Sequence, residues 1–290
     1  MRWIPGDRSN IEDARGRSGI GMGGAVPIGF GGVVLLALLS WATGTNFLSL
    51  LNPTTADPSQ SVGRSAPVAS SPAEEHEVDF VDAMVKDVQA TWQTLLPGRY
   101  QPTRAVIFRD AIDSACGMAQ SATGPFYCPQ DGRVYLDLAF FSELTNRFGA
   151  PGEFARAYVI AHEVGHHVQR LTGIEQRMRT AQRDDPAATN DLSVRLELQA
   201  DCFAGVWGHE ASKPGRAANG QVELESGDVE QGLNAAAAIG DDRLQRMSTG
   251  RVAPESFTHG TSAQRVEWFK RGLTSGSPDS CNTFGSRSTR

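Results

Sequence analysis

His162-Glu163-Val164-Gly165-His166 is the stretch that most restricts what this chain can become. In a helix, side chains four residues apart lie one above the other, so both imidazoles can reach one metal ion. Glu163 falls about 100° around the helix from His162, at the edge of that face, where it can hydrogen-bond a water on the metal. Phe154, Ala157, Tyr158, Val159 and Ile160 precede the motif and are apolar enough for a helix inside a core. The pattern predicts a helix over Glu153–Leu171, with Pro151-Gly152 in front and Gly173 behind. That helix cannot complete a site alone, because a catalytic zinc takes three protein ligands and keeps a fourth position open.

A third histidine from the same segment would need Gly at 169 and His at 172, and the chain has Gln169 and Thr172. A second helix is predicted over Asp191–Glu210, with Asn190 or Asp191 as its N-cap. Leu192, Val194, Leu196, Leu198, Phe203, Val206 and Trp207 make much of its circumference apolar. A carboxylate in such surroundings needs a partner. Glu197 is therefore the candidate third ligand. Asp201, one turn later on the same face, can accept a hydrogen bond from the free N–H of a ligand histidine. His259 sits just before a predicted helix over Ser262–Gly272 that carries Arg265. A zinc hydrolase needs a donor for the oxyanion, and either residue could serve. Spacing alone leaves His259 balanced between that role and a capping one, and an Arg on a helix is ordinarily solvated. His167 points away from the ligand face and reads as polar lining or surface; His76 falls in a linker, and His209 faces solvent.

From Ser18 to Ala56 there is no charged residue. Within that run, residues 21–43 supply the roughly 20 apolar positions that a membrane-spanning helix needs. Arg2, Arg8, Arg15 and Arg17 precede it, which places the N-terminus in the cytoplasm by the positive-inside rule. A cleaved signal peptide fits less well, because the charged region before the apolar run is too long. The expected organisation is a cytoplasmic segment over 1–20, a transmembrane helix over 21–43, a Pro/Ser-rich linker over 44–76 and a domain over 77–290. The catalytic domain would then be periplasmic or extracellular, held to the plasma (inner) membrane by one helix. A helix over Val78–Leu96, strands at Ala105–Phe108 and Val134–Leu138, and a helix over Gly227–Ile239 complete a mainly helical α+β domain with a small sheet. Val134–Leu138 is taken as an exposed edge that pairs with an extended substrate. A net charge of −6 argues against a nucleic-acid partner.

Four cysteines occur, and none has zinc-knuckle spacing. An even number in an external domain favours two disulfides, Cys116 with Cys128 and Cys202 with Cys281.

These segments resemble, almost end to end, the bacterial neutral zinc metallopeptidase family of YpfJ-like proteins. The resemblance runs through Arg2-Trp3, Ser9-Asn10-Ile11-Glu12-Asp13, Ser114-Ala115-Cys116-Gly117, Gly124-Pro125-Phe126-Tyr127-Cys128-Pro129 and Val134-Tyr135-Leu136-Asp137-Leu138. It continues through HEVGHH, ELQADCFAG, HGTSAQR and Cys281-Asn282-Thr283-Phe284. The last third is also similar to the HtpX and CAAX-protease membrane peptidases. There an ELQAD-like segment gives the third ligand, and a His with an Arg six residues later completes the site. His259 and Arg265 have that spacing, with Gly260 where those relatives carry Pro. The resemblance implies a gluzincin-type zinc metalloendopeptidase with Zn²⁺ on His162, His166 and Glu197 and a peptide or protein as substrate. Glu163 would be general base to a zinc-activated water, and His259 with Arg265 would steady the oxyanion. Two other readings stay open: a non-catalytic envelope binding protein on the same fold, and a zinc hydrolase of non-peptide amides.

Overall fold

The structure, a computed structural model, describes residues 1–17, 70–120 and 124–285. Its first long helix, α1 (Pro72–Leu95), begins where the Ser71 side chain accepts from the Glu74 N–H, with Pro72 in the first turn and Glu74 and Glu75 at the positive end of the helix dipole. The expected linker thus overlaps the helix from Pro72 to His76. The Ser-Pro-Ala-Glu-Glu string there is itself a helix-start signal. His76, assigned to that linker, lies on α1 and packs edge-on to Trp3 at 5.1 Å.

A four-stranded sheet has the order β1 (Ile11–Asp13), β2 (Ala105–Phe108), β6 (Arg133–Asp137), β5 (Phe126–Cys128). The first three are parallel and β5 is antiparallel to β6. All four residues of β2 are buried, as expected for a strand covered on both faces. The strand read at Val134–Leu138 is therefore interior. β2 and β5 occupy both of its edges, so it cannot pair with a substrate; β5 is an end strand of the sheet. A separate hairpin, β3 (Ala111–Ser114) and β4 (Gly117–Gln120), lies between β2 and β5 in sequence.

The helices that follow are α2 (Ala139–Asn146), α3 (Glu153–Leu171), α4 (Ile174–Asp184), α5 (Thr189–Ala211), α6 (Asp228–Ala238), α7 (Asp241–Thr249) and α8 (Ser262–Ser275). The core gathers Trp92, Tyr158, Phe154, Trp207 and Phe269 between α1, α3, α5 and α8. The tightest approach is between α5 and α8: a Cβ at Gly272 would stand 1.9 Å from the Cys202 carbonyl oxygen, so only glycine lets these helices meet. Both expected disulfides are present, Cys116–Cys128 and Cys202–Cys281.

Residues 1–17, expected apart from the domain, are built into it. β1 lies in the main sheet, paired from Ile11↔Ala105 to Asp13↔Ile107. The Asp82 carboxylate of α1 accepts from the Arg8 N–H, the Asn10 N–H and Asn10 Nδ2, each at 3.1 Å. Arg15 binds Asp13 and Glu75, Trp3 stacks edge-on to Phe80 at 5.5 Å, and Ala14 is fully buried. The arginines that looked like a cytoplasmic flank are paired within the domain: Arg8 and Arg15 with carboxylates on α1, Arg2 with Glu223 and Glu225, and Arg17 with Glu12. A single membrane crossing between residues 17 and 70 would pull all but the last of these pairs apart. Among the described residues no helix is long and apolar enough to cross a membrane, and the span expected over 21–43 lies outside them.

Candidate metal centre

α3 and α5 cross at Gly165, where a Cβ would stand 3.2 Å from the Ala200 backbone, and this brings one face of each helix to the other. His162 Nε2 is 3.2 Å from His166 Nε2 and 3.1 Å from Glu197 Oε2, and His166 Nε2 is 3.5 Å from Glu197 Oε1. Ligands about 2.0–2.1 Å from a tetrahedral zinc stand about 3.3–3.4 Å apart, so the triangle has zinc's dimensions.

The outer ring nitrogens are both engaged. His162 Nδ1 donates to Asp201 Oδ1 at 2.9 Å, and His166 Nδ1 to Gln169 Oε1 at 2.8 Å. Each Nε2 is thereby left as a lone pair turned toward the other and toward a carboxylate. Such a donor set calls for a cation, and it fits zinc.

Without a metal, protons fill that role. Burial would lower His162, but Asp201 and Glu197 outweigh it and push the imidazole up to about 10. His166 is opposed by the same desolvation and raised by Glu197. Burial alone would raise Glu197; the facing imidazoles of His166 and His162 hold it well below the usual carboxylate range. Glu163 goes the other way, with burial keeping its carboxyl raised.

Asp201 is fully buried and has three other claims on it: the Tyr158 hydroxyl, Arg265 Nε at 2.9 Å and Arg265 Nη2 at 2.8 Å. Arg265 Nη1 donates to the Ile239 carbonyl at 3.2 Å. The guanidinium expected on an oxyanion is thus spent on holding the carboxylate behind His162.

His259 is placed differently. It lines the cleft above the metal ligands, and its Nδ1 is 3.2 Å from Asp241 Oδ1. The other Asp241 oxygen accepts the backbone N–H groups of Thr258, His259 and Gly260. That grip raises the His259 pKa, and the side chain remains about half exposed.

The backbone of Tyr127 on β5 stands near the Glu163 carboxyl and tempers the rise that burial causes. His167, expected as lining or surface, is buried under that strand, between the Tyr127 hydroxyl at 2.9 Å and the Gln101 carbonyl at 2.6 Å. His209, expected in solvent, is half-buried with Nδ1 on the Leu273 carbonyl. A cleft of about 710 Å³ opens over the ligands, its walls including Phe126, Phe140, Phe148, Leu244 and Met247. Sequence reasoning missed Tyr158, Asp241, Gln169 and Gln199. Asp241 had a faint signal, as an acidic residue opening a helix after Gly240, but its partners lie about 18 residues away.

A His-Glu-x-x-His helix crossed by a glutamate-bearing helix, in a mainly helical α+β domain, defines a zinc metallopeptidase. The chain belongs to the family described as "Putative neutral zinc metallopeptidase", which matches residues 1–284. It is 48% identical to the uncharacterized protein YpfJ of Escherichia coli (strain K12) over 296 residues, covering 98% of this chain and 99% of that one. It is 46% identical to the uncharacterized protein Rv2575 of Mycobacterium tuberculosis (strain ATCC 25618 / H37Rv) over 208 residues, 70% of this chain and 69% of the relative. No solved structure gives a significant match. Membership implies Zn²⁺ as cofactor and a peptide or protein as substrate.

Proposed function

We propose that this chain is a zinc metalloendopeptidase working in an oxidising compartment outside the cytoplasm. The observation that supports it most is the convergence of His162, His166 and Glu197 beneath a cleft bordered by an end strand, with Glu163 at its edge. Zinc held by these three supplies a Lewis acid that makes water reactive near neutral pH. Glu163, kept readily protonated by burial, takes a proton from the attacking water and passes it to the leaving amine. β5, not the interior strand, offers its free side to an extended peptide. The apolar walls receive side chains beside the scissile bond. His259, steadied by Asp241, donates to the oxyanion, while Arg265 and Tyr158 hold Asp201, and Asp201 holds His162.

Two disulfides support the compartment, since such bonds persist where thiols are not kept reduced. Cleavage of unfolded casein tests the activity. Hydrolysis should stop with a chelator and return with zinc. A protein with full zinc that cuts no peptide would instead be a binding protein on this fold, and one that cuts only small amides would be a different hydrolase. Glu197→Ala should lose the metal; stoichiometric zinc in that variant would remove Glu197 from the ligand set.

A further inference from the structure

His166 is fixed through a chain of amides that ends on the C-terminal tail. Gln169, one turn after the motif on α3, is fully buried. Its Nε2 donates to the Leu196 carbonyl at 2.7 Å and to Gln199 Oε1 at 3.1 Å. Leu196 immediately precedes the ligand Glu197, so one side chain ties both ligand helices together. Gln199 Nε2 donates in turn to the Cys281 carbonyl at 2.8 Å. Cys281 is held against α5 by its disulfide to Cys202.

The direction of the chain matters. Cys281 and Leu196 offer only carbonyl acceptors, so both amide NH₂ groups must point toward them and away from His166. Gln169 then presents oxygen to His166 Nδ1. That places the ring proton on Nδ1 and leaves Nε2 free as a lone pair. Reversing Gln169 would put an NH₂ group against Nδ1, move the proton to Nε2 and cancel a ligand. The tautomer of His166 is thus set from behind, by groups that touch neither metal nor substrate.

We propose that Gln169 and Gln199 are positioning residues for the metal centre, and that the Cys202–Cys281 disulfide, by holding the Cys281 carbonyl, makes zinc affinity depend on the oxidation state of the tail. The proposal rests on the zinc reading of the site and not on peptidase activity.

The test is zinc affinity of the full chain, measured by competition with a chromophoric chelator, alongside thermal melting of the metal-free protein. Gln199→Leu should weaken zinc by about ten-fold, the loss typical of a missing outer hydrogen-bond partner. Gln199→Glu separates positioning from packing. Its carboxylate still accepts from Gln169 Nε2 but repels the Cys281 carbonyl, so melting should fall while zinc affinity stays within about three-fold of the parent. Cys202→Ala/Cys281→Ala should lose about as much zinc affinity as Gln199→Leu, and adding Gln199→Leu to it should cost little more, because both cut one chain. The proposal is overturned if zinc affinity merely follows melting temperature across the set, so that Gln199→Glu is as impaired as Gln199→Leu. Additive losses would overturn it too. If Gln199→Leu does not fold, the Gln199→Glu and double-cysteine variants decide by the same criteria. A parent protein that binds no zinc would sink the metal reading itself.

Discussion

Asp201 Oδ1 lies 2.9 Å from His162 Nδ1, and the same carboxylate is the counter-charge of a buried arginine, Arg265. One acidic side chain thus fixes a metal ligand and neutralises the buried cation hydrogen-bonded to it. Asp201→Asn should lower zinc affinity by about 10–100-fold, as for other ligand-orienting partners. It should also destabilise the fold by about 3–5 kcal/mol, because it leaves Arg265 buried without its partner. Zinc competition and urea melts would read the two effects separately; unchanged zinc affinity would free His162 from this control.

His259 and Asp241 should act as a unit. His259→Ala should reduce kcat for peptide hydrolysis by about 10²–10³-fold with zinc content unchanged, the loss typical of one oxyanion donor. Asp241→Asn should reduce kcat in the same direction by a smaller factor and shift the alkaline limb of the pH–rate profile to lower pH, since Asp241 is the first cause of the raised His259 pKa. A His259→Ala enzyme with normal kcat would assign the ring to capping alone.

The metal-free protein should be sensitive to alkali. His162 has a folded pKa of about 10 against an ordinary 6.5. A raised pKa stabilises the fold fully below the unfolded value, and that contribution is lost as pH rises through the folded one. Melting temperature of the chelator-treated protein should therefore fall between about pH 6.5 and 10, and the zinc-loaded protein should fall less over the same window. For the same reason zinc uptake at pH 7 should release protons, measurable by calorimetry in buffers of different ionisation enthalpy. Proton-neutral binding would contradict the paired imidazoles.

The N-terminal arm should be structural. Asp82→Ala removes the acceptor of three N–H donors and should cost about 2–3 kcal/mol. Tags placed before residue 1 and after residue 285 should be labelled from the same side of a membrane, because β1 is a strand of the domain sheet. Labelling from opposite sides would restore the single-crossing topology.

What could be read from the sequence follows a physical pattern. α3 falls at the boundaries that apolar periodicity and the flanking Gly and Pro predict, and the second ligand helix differs by two residues at its start and one at its end. Helices with a buried stripe announce themselves. α7 is almost wholly polar apart from Leu244 and Met247, and β5 spans three residues in a Gly/Pro stretch, so neither carries a period long enough to detect. The place of the arm is not legible because Arg2, Arg8 and Arg15 read the same whether their partners are lipid headgroups or carboxylates of the domain, Glu223 for Arg2 and Asp79 and Glu75 on α1 for the other two. At the site, the residues on one helix face were legible from spacing. Gln169 served only to exclude a third histidine, since nothing local shows that its amide reaches Leu196 and Gln199 on another helix.

The most direct test of the whole account is the Glu163→Gln variant, assayed for bound zinc and for casein hydrolysis on the same sample. One zinc per chain with hydrolysis reduced by at least about 10²-fold is the predicted result, since the ligands are intact and the general base is gone. Undiminished turnover with zinc in place would contradict the assignment of Glu163 and the mechanism built on it.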